Sequence, residues 1–267
     1  MSKRDWMLNK IGWNIISSKY QQHTRISLDD VHYGPISPGE KELRLLGDIK
    51  GKDVLEIGCG GGQNIIVLAK WGARAVGLDI SEKQIEYARY LARKEGVDVK
   101  FYVGNMEDLS IFESESFDIV LSCFAIGYVR NIFATFREVY RVLRHYGIFV
   151  FCDVHPIVRR GRILRYGKKR IWGIFNYFNR KGQKWRWNID GAVAYFCDYH
   201  RTLQDYFDLL ICSGFVVERI LEPEPYPLDK MSDEEKSRIP YINEGFERDY
   251  DLWRRIPYTI IFKSRKY

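Results

Sequence analysis

The sequence predicts an α/β protein organised on a doubly wound, mainly parallel sheet, and three observations carry that expectation. From Asp53 onward, short apolar runs alternate with helical patterns, the order that builds parallel strands covered by helices on both faces. The first run, Val54-Leu55-Glu56-Ile57, closes on Gly58-Cys59-Gly60-Gly61-Gly62, a turn that lets backbone approach a ligand closely. The second run, residues 75–78, closes on an acid, Asp79.

Each element follows from its residues. Trp6, Trp13, Ile16 and Tyr20 at helical spacings predict an amphipathic helix over residues 5–20, and Pro35 and Pro38 make residues 29–39 a loop. After the glycine turn, residues 63–71 read as a helix. Ser81 is an N-cap with Gln84 three positions on, as in a capping box; Ile85, Ala88, Leu91 and Ala92 form the buried stripe, and Gly96 stops the helix. Val97, Val99, Phe101 and Val103 alternate as a half-buried strand, residues 117–122 form a continuous apolar strand, residues 132–143 a helix and residues 147–152 another strand. Residues 203–213 and 215–221 read as helix and strand. Residues 258–262 form the last apolar run, expected at a sheet edge, and Pro223, Pro225 and Pro227 precede a charged stretch, 229–249, expected to lie over the surface. The chain then divides into an N-terminal helix and loop (1–50), a ligand-binding core (51–155), an insertion (156–200) and the C-terminal part of the core (201–267).

Composition narrows the function classes. With 46% hydrophobic and 29% charged residues, the 267-residue chain is neither disordered nor collagen-like. No apolar run approaches the roughly 18 residues that cross a bilayer, and no signal-type stretch follows Met1, so a cytoplasmic address is expected by default. Five scattered cysteines, without zinc-type spacing, read as reduced thiols, and no metal site is expected. Charge is uneven: of 42 basic residues, eleven fall between Arg159 and Arg186 with no acid among them, so the rest of the chain is 31 basic against 35 acidic. Tyr166, Trp172, Phe175, Tyr177, Phe178, Trp185 and Trp187 lie within or beside that segment. Such a surface suits nucleic acid, an anionic membrane, or an acidic or aromatic small molecule; it equally suits a solvated cap whose rings form their own small core.

The turn itself leaves alternatives open. Gln63 stands where the dinucleotide fingerprint has its third glycine, which weakens a nicotinamide reading. Asp79 is placed to accept both hydroxyls of a ribose, or else to cap the following helix; Glu56 is a ligand contact, or a structural acid bonding the turn's amides. Four segments together are more specific. DVLEIGCGGGQN (53–64), GLDIS (77–81), GNMEDL (104–109) and FDIVLS (117–122) occur in order and at suitable intervals, and they resemble the successive motifs of class I S-adenosylmethionine-dependent methyltransferases, particularly the small-molecule "type 11" group. The resemblance covers about residues 50–155, and residues 201–215 are similar to that group's later helix and strand.

The resemblance implies a Rossmann-like seven-stranded sheet, mainly parallel with an antiparallel strand, carrying an N-terminal helical lid and an inserted cap. It implies S-adenosylmethionine as cofactor and S-adenosylhomocysteine as product. Glu56, Gly58, Cys59, Gly60 and Gln63 would line the methionine part, Asp79 the ribose, and Ile80 and Met106 the adenine. Asn105 stands where the family commonly has Asp facing the adenine amino group, and its amide oxygen can still accept that bond. Ser122, Cys123 and Phe124 would border the sulfonium, and His32 and Tyr33 would come over the cofactor from the N-terminal loop.

Methyl transfer needs donor and acceptor held in line with water excluded, and a base only when the acceptor must lose a proton. His200 and His155 are the candidate bases. Cys123 and Cys152 follow the strands whose ends carry paired cysteines in RNA cytosine-C5 methyltransferases, but Leu121-Ser122-Cys123-Phe124 lacks that group's Pro-Cys pair, so covalent catalysis is not expected. The function expected is methyl transfer to a small-molecule acceptor beneath the inserted segment. The alternative is an RNA (tRNA or rRNA) methyltransferase using the same segment on phosphates and unpaired bases; a cofactor-binding regulator and a membrane-surface protein are the non-enzymatic readings.

Overall fold

The computed structural model describes residues 3–167, 169–241 and 244–267. In chain order it runs α1 (Lys3–Thr24), α2 (Glu40–Leu43), β1 (Asp53–Ile57), α3 (Gln63–Lys70), β2 (Arg74–Asp79), α4 (Glu82–Glu95), β3 (Val99–Val103), β4 (Phe117–Cys123), α5 (Ile132–Val142) and β5 (Leu143–Val154). The insertion follows as α6 (Pro156–Arg159) and two hairpins, β6 (Gly161–Tyr166) with β7 (Lys169–Ile174) and β8 (Gly182–Ile189) with β9 (Ala192–Tyr199). The chain closes with α7 (Leu203–Cys212), β10 (Phe215–Leu221), α8 (Asp233–Ser237), α9 (Glu244–Arg248), α10 (Tyr250–Trp253) and β11 (Thr259–Lys266).

Seven strands form one sheet in the order β10-β11-β5-β4-β1-β2-β3, with β11 antiparallel to both neighbours and the other pairs parallel. From β1 the chain builds outward to β2 and β3, then crosses back to β4 on the other side of β1. The crevice of a doubly wound sheet opens at that reversal, beyond the carboxyl ends of β1 and β4. Buried side chains cover both faces: Ile65, Ile66, Ile85 and Ala88 belong to the core of one, Phe136, Val139, Tyr206 and Leu210 to that of the other.

The caps follow the sequence in part. Ser81 accepts from the Gln84 amide at 3.1 Å, and Gly96 ends α4 in the left-handed region. The Gln84 side chain does not return to Ser81 as a capping box would have it, because it accepts from Gln21 Nε2 of α1 at 2.7 Å. One expectation about the C-terminal part is corrected. The last strand is interior, between β5 and β10, and its continuous apolar run Ile260-Ile261-Phe262 is wholly buried, as a strand covered on both faces requires. The described residues of 229–249 lie largely over the surface, as expected, with Ile239 and Asp249 buried and Ile239 sharing a cluster with Ile36, Val158, Leu228 and Trp253. In the insertion, Ile189, Ala194 and Phe196 bury against Ile16 of α1, with Trp13, Tyr20, Trp185 and Trp187 packed around them, so the insertion's rings share a core with the N-terminal helix. Among the described residues no helix is long and apolar enough to cross a membrane.

Candidate active site

The turn after β1 is built for close approach. Gly58 has φ +69°, and a Cβ there would stand 2.3 Å from Ala125 Cβ and 2.9 Å from Met106 Cε, so the loop after β4 fits against the turn only because the side chain is missing. Gly61 is constrained differently: its Cβ would meet Gln21 Nε2 at 2.3 Å. That amide sits in a buried relay, Gln63 donating to Gln21 and Gln21 to Gln84, which ties α1 to α3 and α4. Asn14 extends the clasp by accepting from Ser81 Oγ at 2.6 Å and donating to Glu82 at 2.9 Å. The N-terminal helix is thereby held over the crevice.

Two buried acids face into it. Asp79, 8% exposed, accepts from Gly60 N and Ser81 N, each at 2.8 Å, one on either carboxylate oxygen. Burial pushes it up to about 6, while the Ser81, Gly60 and Ile80 amides pull the other way. The carboxylate also lines the largest cavity at this crevice, where its remaining acceptor capacity fits sugar hydroxyls. Glu56, 3% exposed, accepts from Ile65 N at 3.1 Å and Asn64 Nδ2 at 3.3 Å, and burial pushes it up to about 8. Among the described residues no basic side chain pairs with it. A carboxylate buried without a counter-cation fits a ligand that brings an ammonium.

Three cavities meet here. The largest, about 590 Å3, is lined by Asp79, Ile80, Asn105 and Met106 and has the size for a nucleoside. A constricted one of about 80 Å3 runs past Glu56, Cys59, Gly60, Gln63, Asn64 and His32. The third, about 400 Å3, is walled by Trp13, Tyr20, Phe124, Tyr128, Trp185, Trp187, Tyr241 and Tyr258, together with Asp153, Arg159 and Asp198. Trp13 and Tyr128 line all three, and their rings meet edge to face with centroids 5.7 Å apart. In the third cavity Arg159 donates to Asp198 Oδ2 at 2.9 Å and also to Asp153, whose other oxygen accepts from Tyr206 Oη at 2.8 Å. Burial pushes Asp198 up, against the pull of Arg159.

The expected residues divide accordingly. Glu56, Gly58, Cys59, Gly60, Gln63, Asp79, Ile80, Asn105 and Met106 come together around the first two cavities, while Tyr33, Ser122, His155 and His200 line none of the three. Tyr33 is fully buried and donates to Glu40 at 2.6 Å; Ser122 Oγ donates to the Ile57 carbonyl at 2.9 Å, bracing β4 against β1. His155 caps α6 by accepting from Ile157 N and meets Glu222 with Nε2 at 2.7 Å. His200 is 1% exposed, its ring edge to face with Tyr177, and burial pushes it down to about 4. Burial also raises the Cys123 thiol, which holds it in the un-nucleophilic form. Gln21, Tyr128, Asp153, Asp198 and Tyr241 were not legible as site residues, since none lies in a motif. The one signal was for Asp198, two positions before the candidate base His200.

Residues 55–151 match the model of a methyltransferase domain. YbaJ, an uncharacterized methyltransferase of Bacillus subtilis, is 42% identical over 110 residues, 41% of this chain and 43% of that protein, so the match spans less than half of that relative's length. An uncharacterized protein of Haemophilus influenzae is 26% identical over 81% of this chain and 88% of its own. The crystal structure of an S-adenosylmethionine dependent methyltransferase from Mesorhizobium loti superposes with a TM-score of 0.63 at 26% identity, covering 84% of this chain and 95% of the other. With the seven-stranded sheet, the glycine turn and the acid after β2 in place, residues 55–151 form a methyltransferase domain, and the chain has the fold of the class I S-adenosylmethionine-dependent methyltransferases.

Proposed function

We propose that the protein transfers a methyl group from S-adenosylmethionine to a small, ring-bearing acceptor held in the aromatic chamber. The observation that carries this reading is the junction at Trp13 and Tyr128, where a chamber of about 400 Å3 opens directly onto the cofactor cavities. When bound, S-adenosylmethionine supplies a methyl group on a sulfonium sulfur, open to displacement by a nucleophile in line with the breaking bond.

The chain's own residues then have separable tasks. Asp79 takes the sugar hydroxyls and Glu56 the α-ammonium group, with Asn105, Ile80 and Met106 around the base. The rings of Trp13, Tyr20, Tyr128 and Tyr241 keep water from the junction and orient a flat acceptor by stacking and edge contacts. Asp198 is the group placed to take an acceptor's proton: it lines the chamber, one of its oxygens is committed to Arg159, and burial raises its basicity above that of an ordinary aspartate. Arg159 positions it. His155 is engaged by Glu222, and His200 is buried beneath Tyr177, away from the chamber lining.

Calorimetry with S-adenosylmethionine and S-adenosylhomocysteine tests the cofactor half, with Asp79→Ala expected to weaken both at least tenfold, by about 1.5 to 3 kcal/mol for hydrogen bonds to a charged group. A folded sample that binds neither, or binds a nicotinamide dinucleotide instead, overturns it. Transfer of labelled methyl to small phenols or amines, and not to tRNA or rRNA, supports the acceptor half; labelled RNA as the sole product overturns it.

A further inference from the structure

We infer that the outward face of the β6–β7 hairpin is a docking surface for an anionic lipid bilayer. The strand register sorts the hairpin into two faces. On one, Ile163 lies opposite Trp172, whose ring packs 5.1 Å from that of Trp253 and whose Nε1 donates to the Ile157 carbonyl, while Arg170 pairs with Asp249. That face is held by the body of the protein. The other carries Leu164 opposite Ile171, Tyr166 opposite Lys169 and Arg162 opposite Gly173. Its apolar members stand in water: Tyr166 is 78% exposed, Ile171 45% and Phe175, next along the strand, 42%. They are contiguous, because a Cβ on Gly173 would lie 2.6 Å from Leu164 Cδ1 and 3.0 Å from Phe175 Cε2, and the Arg162 guanidinium lies 4.4 Å from the Phe175 ring centre. Phe178, 74% exposed, follows in the next turn.

Charge identifies the occupant. Residues 159–186 contain eleven Lys and Arg and no acid, and Arg162 and Lys169, the cations of this face, have no carboxylate partner among the described residues. A second copy of the same face would set cation against cation. Unpaired nucleic acid would use the cations and rings but leaves the aliphatic pair Leu164 and Ile171 without a partner. A bilayer of anionic headgroups uses every part: cations at the phosphates, Tyr and Phe rings at the interface, and aliphatic carbons below it.

The inference rests on the hairpin alone and is independent of the methyl-transfer reading. Its test is flotation of the full chain with phosphatidylcholine vesicles, with and without about 30 mol% phosphatidylglycerol, in low and high salt. The expected result is at least about tenfold stronger partition onto the anionic vesicles, weakened by salt. Tyr166→Ser with Ile171→Ser, which leaves the charge unchanged, should lower it about tenfold, and Arg162→Gln with Lys169→Gln about thirtyfold, at roughly one kcal/mol per cation. Circular dichroism and S-adenosylhomocysteine affinity, unchanged in both variants, show that the fold persists. Equal partition on neutral and anionic vesicles, full retention by either variant, or no flotation overturns the inference. So does tRNA binding indifferent to Tyr166→Ser/Ile171→Ser in a protein that ignores vesicles.

Discussion

Glu56→Gln is predicted to stabilise the ligand-free protein and weaken its hold on the cofactor. The native carboxyl is pushed from 4.5 up to about 8, chiefly by burial, so between those values the folded state binds a proton that the unfolded state has lost. For an acid raised in this way, stability is fully present below the unfolded value and declines as pH rises through the folded one. At about 1.4 kcal/mol per unit, the loss amounts to about 3 kcal/mol by pH 7 and about 5 kcal/mol above pH 8. Glutamine never ionises, so the difference in unfolding free energy between variant and wild type should grow across that window, measured by denaturant melts from pH 5 to 9. On the proposed reading, the cofactor's α-ammonium group supplies the counter-charge that the protein's own described side chains do not. Losing a charge-assisted bond of about 1.5 to 3 kcal/mol should reduce S-adenosylhomocysteine affinity about 10- to 100-fold. At pH 7 Glu56 lies about one unit below its midpoint, so binding should expel close to one proton, visible as a buffer-dependent heat in phosphate against Tris. Unchanged affinity in Glu56→Gln, together with heats indifferent to buffer, would refute the pairing of Glu56 with an ammonium.

Three further outcomes are expected. Gly61→Ala should cost about 2 to 4 kcal/mol by displacing Gln21 from its two buried amide bonds, and the double variant with Gln21→Ala should cost clearly less than the sum, in thermal or urea melts. Tyr33→Phe should cost about 1 to 3 kcal/mol by removing a buried donor from Glu40, with S-adenosylhomocysteine affinity within about twofold; a large loss of affinity would instead put Tyr33 at the cofactor. Asp198→Asn should lower kcat at least tenfold, about 1.4 kcal/mol or more. In the wild type, kcat/KM should rise with pH as Asp198 ionises, at a pH above the ordinary carboxylate range because burial raises it, and that limb should vanish in the variant.

The parallel half of the fold was legible because each of its signals is local. A strand and its glycine turn are decided within a dozen residues, as is the Ser81 cap, and the reversal at β4 follows from their order. The misreadings came where distant partners decide. Residues 258–262 carry the same apolar content at an edge or in the interior, and only pairing with β5 and β10 distinguishes the two. Gln84 is a good capping-box residue until α1 brings Gln21 within 2.7 Å and takes its oxygen.

The same distinction runs through the site. The proposed cofactor contacts lie at the ends of consecutive strands, where family motifs record them, whereas the chamber proposed for the acceptor draws four residues from α1 and one or two each from the loop before α2, the loop after β4, the end of β5, α6, β8, β9, α9 and the segments around it. No spacing rule links Trp13 to Tyr128, Asp198 and Tyr241. What brings them together is the shared core of α1 and the insertion: Phe196 packs on Trp13 at 5.2 Å and on Trp185 at 4.9 Å, and β9 then presents Asp198 beside Arg159. An acceptor pocket assembled by such packing can change its lining without disturbing the sheet, since Trp185 and Trp187 project from a hairpin outside it. On the proposed reading the cofactor is specified by the strand order and the acceptor by the packing of α1 against the insertion, so the clasp of Asn14 and Gln21 on α4 and its cap should bear on acceptor binding as well as on stability.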